Sequence, residues 1–199
     1  MPNVIAINAQ ASRSIVAAQA TSDEMLLESI ADGNRPAMHI LYARHNVRVY
    51  RFILRIVRDT TMAEDLVSQV FLDVWRTASQ FEGRSQVSTW LLSIARFKAL
   101  SELRRRPEFA LDDTALSIVD PADDPEIAAV KTDRDETLRQ CLQKLSAEHR
   151  EVIDLVYYHE MSIEQVAEIV GVPANTVKTR VFHARRRLAD LLAAAGVER

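Results

Sequence analysis

Residues 162–192, SIEQVAEIVGVPANTVKTRVFHARRRLADLL, decide the fold class. Ser162 and, three residues later, Gln165 make the reciprocal capping pair that opens a helix. Ile163, Val166, Ala167 and Val170 then recur at helical spacing. Gly171-Val172-Pro173 breaks that period, because Gly can take the left-handed conformation that ends a helix and Pro cannot continue one. A second periodic run puts Val177, Val181, Ala184, Leu188 and Leu191 on one face. Lys178, Thr179, Phe182, His183, Arg185 and Arg186 lie on the other. Between residues 174 and 199 six basic residues (Lys178, Arg180, Arg185, Arg186, Arg187, Arg199) stand against two acids, Asp190 and Glu198. A short helix, a Gly turn and a basic amphipathic helix make a helix-turn-helix whose second helix suits the major groove of DNA. The alternative is a helical hairpin whose solvated face happens to be basic; cap, turn and charge together favour the first reading.

The rest of the chain supports an all-α protein. Its 199 residues can hold one or two domains with a buried core, and it has only four glycines. A composition 48% hydrophobic and 27% charged describes a soluble globular chain, and the net charge of −3 says nothing by itself about nucleic acid. The placement of the bases does. A single cysteine, Cys141, rules out an internal disulfide and fits a reducing cytosol. No run approaches the ~18 apolar residues of a membrane span, so no membrane insertion is expected. SIVAAQA at 14–20 resembles the end of a signal peptide, but Asn3, Asn8, Gln10 and Arg13 break the basic-then-apolar order. Residues 1–21 therefore read as a disordered cytosolic tail.

A first helix is expected over 22–31, opened by Ser22 with Asp23 and Glu24 in its first turn. Asp32-Gly33-Asn34 ends it. A longer helix follows over 36–57, with Ile40, Leu41, Val47, Tyr50, Ile53, Leu54 and Val57 apolar. Thr61 with Glu64 reads as the cap of the next helix, whose core stripe is Leu66, Val70, Phe71, Val74 and Trp75. Residues 81–88 form a polar loop, and a helix over 89–106 carries Arg96, Lys98, Arg104, Arg105 and Arg106 against one acid, Glu102. Pro107 stops it. Residues 108–126 then hold seven acids, no Lys or Arg and two prolines, a linker by composition. Helical pattern resumes near Ile127, and Ser146 caps a helix over 147–158 with Val152, Ile153, Val156 and Tyr157 inward. The organisation is a tail (1–21), a helical domain (22–107), an acidic flexible linker (108–130) and a second helical domain (131–199) containing the helix-turn-helix.

Two runs in that order resemble a known family. AEDLVSQVFLDVWR with STWLLSIARFKALSELRRR resembles region 2 of bacterial sigma factors. LSAEHREVIDLVYYHEMSIEQVAEIVGVPANTVKTRVFHARRRL resembles region 4. With only a short tether between them, the chain is similar to the extracytoplasmic-function (group 4) class. The resemblance implies an alternative sigma factor that binds core RNA polymerase, through the β′ clamp helices and the β subunit, and directs promoter-specific initiation. It also implies control by an anti-sigma factor. By similarity, Asp65, Ser68, Gln69 and Leu72 would dock on the clamp helices. Phe81, Arg84, Arg96, Phe97, Lys98 and Arg104 would read and melt the −10 element. Lys178, Thr179, Phe182, His183 and Arg185 would read the −35 element, with Arg180 and Arg186 on phosphates. Two departures stand out: DLVSQ where the pattern usually reads DLVQE or DLVQD, and Phe97 where an Asn often contacts a flipped base. Phe can stack on that base but cannot hydrogen-bond its edge.

The histidines (39, 45, 149, 159, 183) and Cys141 show no metal-ligand spacing, and there is no Gly-rich phosphate loop or nucleophile motif. No cofactor and no enzyme activity are expected. A stand-alone helix-turn-helix regulator, or a sigma mimic that titrates an anti-sigma factor, are the alternatives. The first needs a dimerisation or ligand domain, and the second has no use for a basic reading face.

Overall fold

The computed structural model describes residues 21–105 and 133–196, and within them every regular element is helical. Helices α1 (Asp23–Ala31), α2 (Arg35–Val57), α3 (Thr60–Thr77) and α4 (Val87–Arg105) build an N-terminal bundle, with a 3-10 turn (Ala78–Gln80) after α3. Helices α5 (Asp133–Gln143), α6 (Ala147–Ile153), α7 (Ile163–Val170) and α8 (Ala174–Ala194) build the second, with a π-helical turn (Asp154–Tyr158) after α6. Two all-α domains, the second ending in a helix-turn-helix, are thus as expected. The expectations for residues 1–20 and for the acidic linker at 108–130 lie outside the described residues.

Local chemistry sets most helix starts. Ser22 Oγ accepts the Met25 N–H at 3.3 Å, and Asn34 Oδ1 accepts the Ala37 N–H at 3.0 Å ahead of Pro36 in the first turn of α2. The cap of α3 differs from expectation. Asp59, not Thr61, accepts a first-turn N–H, that of Met62 at 2.6 Å, and the helix begins at Thr60. A carboxylate at the positive end of the helix dipole satisfies that donor better than a hydroxyl two residues later. The 81–88 loop is shorter than expected because Val87 is buried and already helical.

The central helix of the N-terminal bundle is α2, packed by α1, α3 and α4. Its inward line is Leu41, His45, Val49, Phe52 and Ile53, so Val47, expected on the apolar face, is exposed instead. His45 occupies a core position because Asp23 meets it: His45 Nε2 lies 2.6 Å from Asp23 Oδ2, while Arg44 Nη1 donates to Oδ1 at 2.6 Å. The His45 hydrogen bond, followed by Arg44, holds the Asp23 carboxyl below the ordinary carboxylate range against the opposing effect of burial. This cluster ties α1 to α2.

In the second bundle the π turn resets the face of the chain. The His159 N–H donates to the Asp154 carbonyl at 3.1 Å, closing a wider turn than an α-helix allows. Leu155 and His159 become buried, and Tyr157, expected inward, faces out. The helix-turn-helix forms as its sequence dictates. Gln165 N–H donates to Ser162 Oγ at 3.2 Å and Ser162 N–H to Gln165 Oε1 at 2.8 Å, while Gly171 closes α7 at φ 75° with its N–H on Ala167 O at 2.9 Å. A Cβ at Gly171 would meet nothing within 4 Å, so its cost is conformational alone. Ser162→Ala and Gly171→Ala should each destabilise by about 1 kcal/mol, read as a lower urea midpoint at unchanged m value. An unshifted midpoint for both would show that the turn is held by packing rather than by its caps.

The two bundles are in contact: α4 packs against α7, and one continuous apolar core runs through both.

Candidate nucleic-acid and polymerase interfaces

Helix α8 is anchored by Val177 and Ala184, both fully buried, which turns the opposite face to solvent. Lys178, Thr179, His183, Arg185, Arg186 and Phe182, the last 62% exposed, project from that face. Phe182 and His183 rings meet edge to face at 5.4 Å, and the Thr179 hydroxyl donates to Asn175 O at 3.0 Å. Packing of Phe182 into its own core is therefore not what the fold does with it. No described carboxylate pairs with Lys178, Arg185, Arg186 or Arg187. Arg180 is different: it turns inward and pairs with Glu148 at 3.1 Å. Lys178, Phe182, Arg185 and Arg186 also form one wall of an apolar groove of 1150 Å³, whose other side includes Leu138, Leu142, Tyr157 and Tyr158.

The residues expected at the −10 element divide into two groups. Phe97, 68% exposed, and Arg104 lie two turns apart on the free face of α4, and Arg84 is exposed on the preceding loop beside Glu82. Phe81 is half-buried against Trp90, with ring centroids 5.3 Å apart, so Trp90 serves the core rather than a stacking platform. Lys98 is held by Asp73 at 2.7 Å across α3 and α4. Arg96 is held too: its Nε donates to Glu151 Oε1 at 2.7 Å and its Nη2 to Oε2 at 3.2 Å, a bidentate pair across the two bundles.

On α3, Asp65, Ser68, Gln69 and Leu72 share one exposed face, opposite the buried Leu66, Val67, Val70 and Val74. An exposed leucine among polar groups gives this face an apolar centre with a polar rim, the pattern of a protein-docking patch. The Ser68 hydroxyl donates back to Glu64 O at 3.2 Å, which leaves Asp65 as the carboxylate of the set.

Sequence reasoning missed a second set of residues. Arg48 of α2 donates to the His159 carbonyl, Arg55 pairs with Asp154 and lies 3.9 Å from the centre of the Tyr158 ring, and Gln86 accepts from Gln165 at 2.9 Å. The signal was present: Arg44, Arg48, Arg51, Arg55 and the C-cap Arg58 repeat at helical spacing along and just past α2, and Arg48 and Arg55 of that basic stripe line the seam between the two bundles.

Residues 41–107 match the family described as Sigma-70 region 2, and residues 135–188 match Sigma-70, region 4. The chain is 29% identical over 180 residues to the ECF RNA polymerase sigma factor SigK of Mycobacterium ulcerans, covering 87% of this chain and 96% of that one. Among solved structures it superposes on CnrH in complex with the cytosolic domain of CnrY (TM-score 0.63, 26% identity, 87% of this chain and 99% of that chain). It also superposes on the sigma factor RpoE of Bartonella quintana, solved with the anti-sigma factor NepR (TM-score 0.61, 30% identity, 76% and 94%). The fold and the pair of regions define a sigma-70 type transcription-initiation factor. The chain belongs to the extracytoplasmic-function group of that family.

Proposed function

We propose that this chain recruits core RNA polymerase to a dedicated set of promoters, binding β′ clamp helices through Asp65, Ser68, Gln69 and Leu72 and the β subunit through its second domain. The −35 element is read by Lys178, Thr179, Phe182, His183 and Arg185 from the major groove, with Arg186 on phosphate. The −10 strand is held by Phe97, Arg84 and Arg104, with Arg96 joining them once released from Glu151. The observation that carries this reading is the pairing, in one chain, of an exposed basic face on α8 with an exposed aromatic and basic face on α4. Each good base contact contributes ~1–3 kcal/mol of discrimination, and phosphate neutralisation supplies salt-sensitive affinity. The chain itself carries out no chemistry on this reading; it lends promoter choice to the polymerase.

Control by an anti-sigma factor follows by analogy with RpoE, solved bound to the anti-sigma factor NepR. Among the described residues no helix is long and apolar enough to cross a membrane.

Run-off transcription with purified core polymerase on a pool of genomic promoter fragments tests the proposal. Transcripts should appear only when this protein is added, and their start sites should share paired upstream motifs. Absence of any binding to core polymerase would overturn the reading in favour of a stand-alone regulator.

A further inference from the structure

Asn175 is the second residue of α8, and no described residue uses its side chain. It is exposed, its backbone carbonyl accepts the Thr179 hydroxyl at 3.0 Å, and no described group pairs with its amide. Capping does not account for it either. The cap position is Pro173, which has no side-chain donor or acceptor, and the N–H groups of Thr176 and Val177 donate to the Pro173 carbonyl at 2.8 and 3.2 Å. Asparagine is a poorer helix former than alanine, so an exposed, unbonded one stands here at a small cost in helix stability.

Helical phase aims this amide straight out. Val177 is fully buried and sets the inward direction of α8. At about 100° per residue, Asn175 and Thr179 each lie about 200° from it, one on either side of the point directly opposite. Lys178 and Arg185 reach out instead from the side that walls the apolar groove. The turn before α8 fixes where the helix starts. Gly171 is left-handed, Pro173 is extended at φ −58° and ψ 145°, and Val172 between them packs against the core. A recognition helix brings its N-terminal residues closest to the base edges, and Asn175 is the first exposed side chain of α8.

The amide carries an acceptor and a donor side by side, which matches the N7 acceptor and N6 donor that adenine shows in the major groove. Thr179 offers something different. Its hydroxyl proton is committed to the Asn175 carbonyl, so it turns a lone pair and a methyl group towards DNA. We propose that Asn175 is a specificity-determining residue of the −35 site, reading one adenine through a bidentate bond from its amide. The assignment rests on the reading of α8 as the −35 helix. It also sets a register. Asn175 and Thr179 are separated by ~6 Å of helical rise, against ~3.4 Å per base pair, so the adenine lies about two base pairs from the contact of Thr179.

The test uses holoenzyme assembled from the full chain and core polymerase. Bound fragments are selected from a promoter found by run-off transcription, with its −35 element randomised. The native chain should prefer A·T over G·C by about tenfold at the position in register with Asn175. Asn175→Ala should lose that preference alone and keep the rest of the motif. Alanine suits the helix, and the Thr179 bond is to backbone and survives the change. Asn175→Gln, whose amide makes the same pair, should still select adenine. An unchanged motif in Asn175→Ala would overturn the assignment. So would an equal loss of affinity for every sequence, which is what a phosphate contact or a folding defect produces. A native holoenzyme that selects no −35 motif at all would instead refute the reading of α8 on which the assignment rests.

Discussion

Reversing Arg185 and Arg186 together to glutamate is expected to abolish transcription from the cognate promoter, a loss of at least about 100-fold, while leaving the protein folded and bound to core polymerase. Both side chains are exposed on α8, neither pairs with a described carboxylate, and the helix is anchored by Val177 and Ala184 on its opposite side. Folding therefore has little stake in them. Each reversal removes a favourable contact to base or phosphate and adds a repulsion, and losing a base-reading contact alone costs ~1–3 kcal/mol. The lost base contact of Arg185 and the reversed charge of Arg186 beside phosphate together reach the stated factor. Run-off yield and co-purification with polymerase would be measured side by side. Both residues also border the apolar groove, so loss of polymerase binding along with transcription would move them from the DNA face to a protein interface. Full transcription from the double variant would refute the assignment of α8 to the −35 element.

What could be read from the sequence was what short-range chemistry decides. The Ser162–Gln165 capping box, the Gly171 stop and the outward face of α8 depend on residues a few positions apart, and each stands where the sequence placed it. The exposed set Asp65, Ser68, Gln69 and Leu72 follows from helical period alone, because Leu66 and Val70 fix which side is inward. Near misses arose where two local solutions compete: Asp59 and Thr61 both offer an oxygen to the start of α3, and the stronger acceptor takes the donor. Tyr157 was misplaced because a π turn inserts a residue into the helical count, and nothing in DLVYY announces it. The seam was illegible for a different reason. Glu151 and Arg96, or Asp154 and Arg55, are far apart in the chain and become partners only when two amphipathic bundles meet. A charged residue read by itself is a solvated one. The same meeting turns Arg96 from an open DNA contact into an occupied one.

Acidification from pH 6.5 should weaken the C-terminal domain or open the seam, and His159 is the reason. The residue is 4% exposed and ends the π turn with its ring edge to face on Phe52 at 5.5 Å. Arg48, Arg51 and Arg55 of α2 surround it, and the Asp154 carboxylate meets its ring, with Nε2 3.4 Å from Oδ2. Burial first, then the fields of Arg48, Arg55 and Arg51, push its pKa down to about 3. The folded chain therefore keeps the ring neutral where the unfolded chain, with an ordinary value near 6.5, takes up a proton. Between those two values the unfolded state binds more protons, so stability rises with pH and is lost as pH falls. The loss begins near pH 6.5, grows by about 1.4 kcal/mol per pH unit and levels off near pH 3, some 5 kcal/mol in all. The Asp23 contribution, also lost on acidification, belongs to a separate window below pH 3.8. Because His159 sits in the seam, the chain has a cheaper response than unfolding: separating the bundles removes the three arginines and readmits water to the ring. Whichever process costs less will take the proton, and it caps the loss. Denaturant midpoints and scattering radius measured from pH 7 to pH 5 should show one or both trends in the native chain, and His159→Phe, which keeps an aromatic ring against Phe52 but cannot titrate, should flatten them. A native chain equally stable and equally compact at pH 7 and pH 5 would mean that water reaches His159 in the closed state; an unaltered slope in His159→Phe would place the titrating group elsewhere.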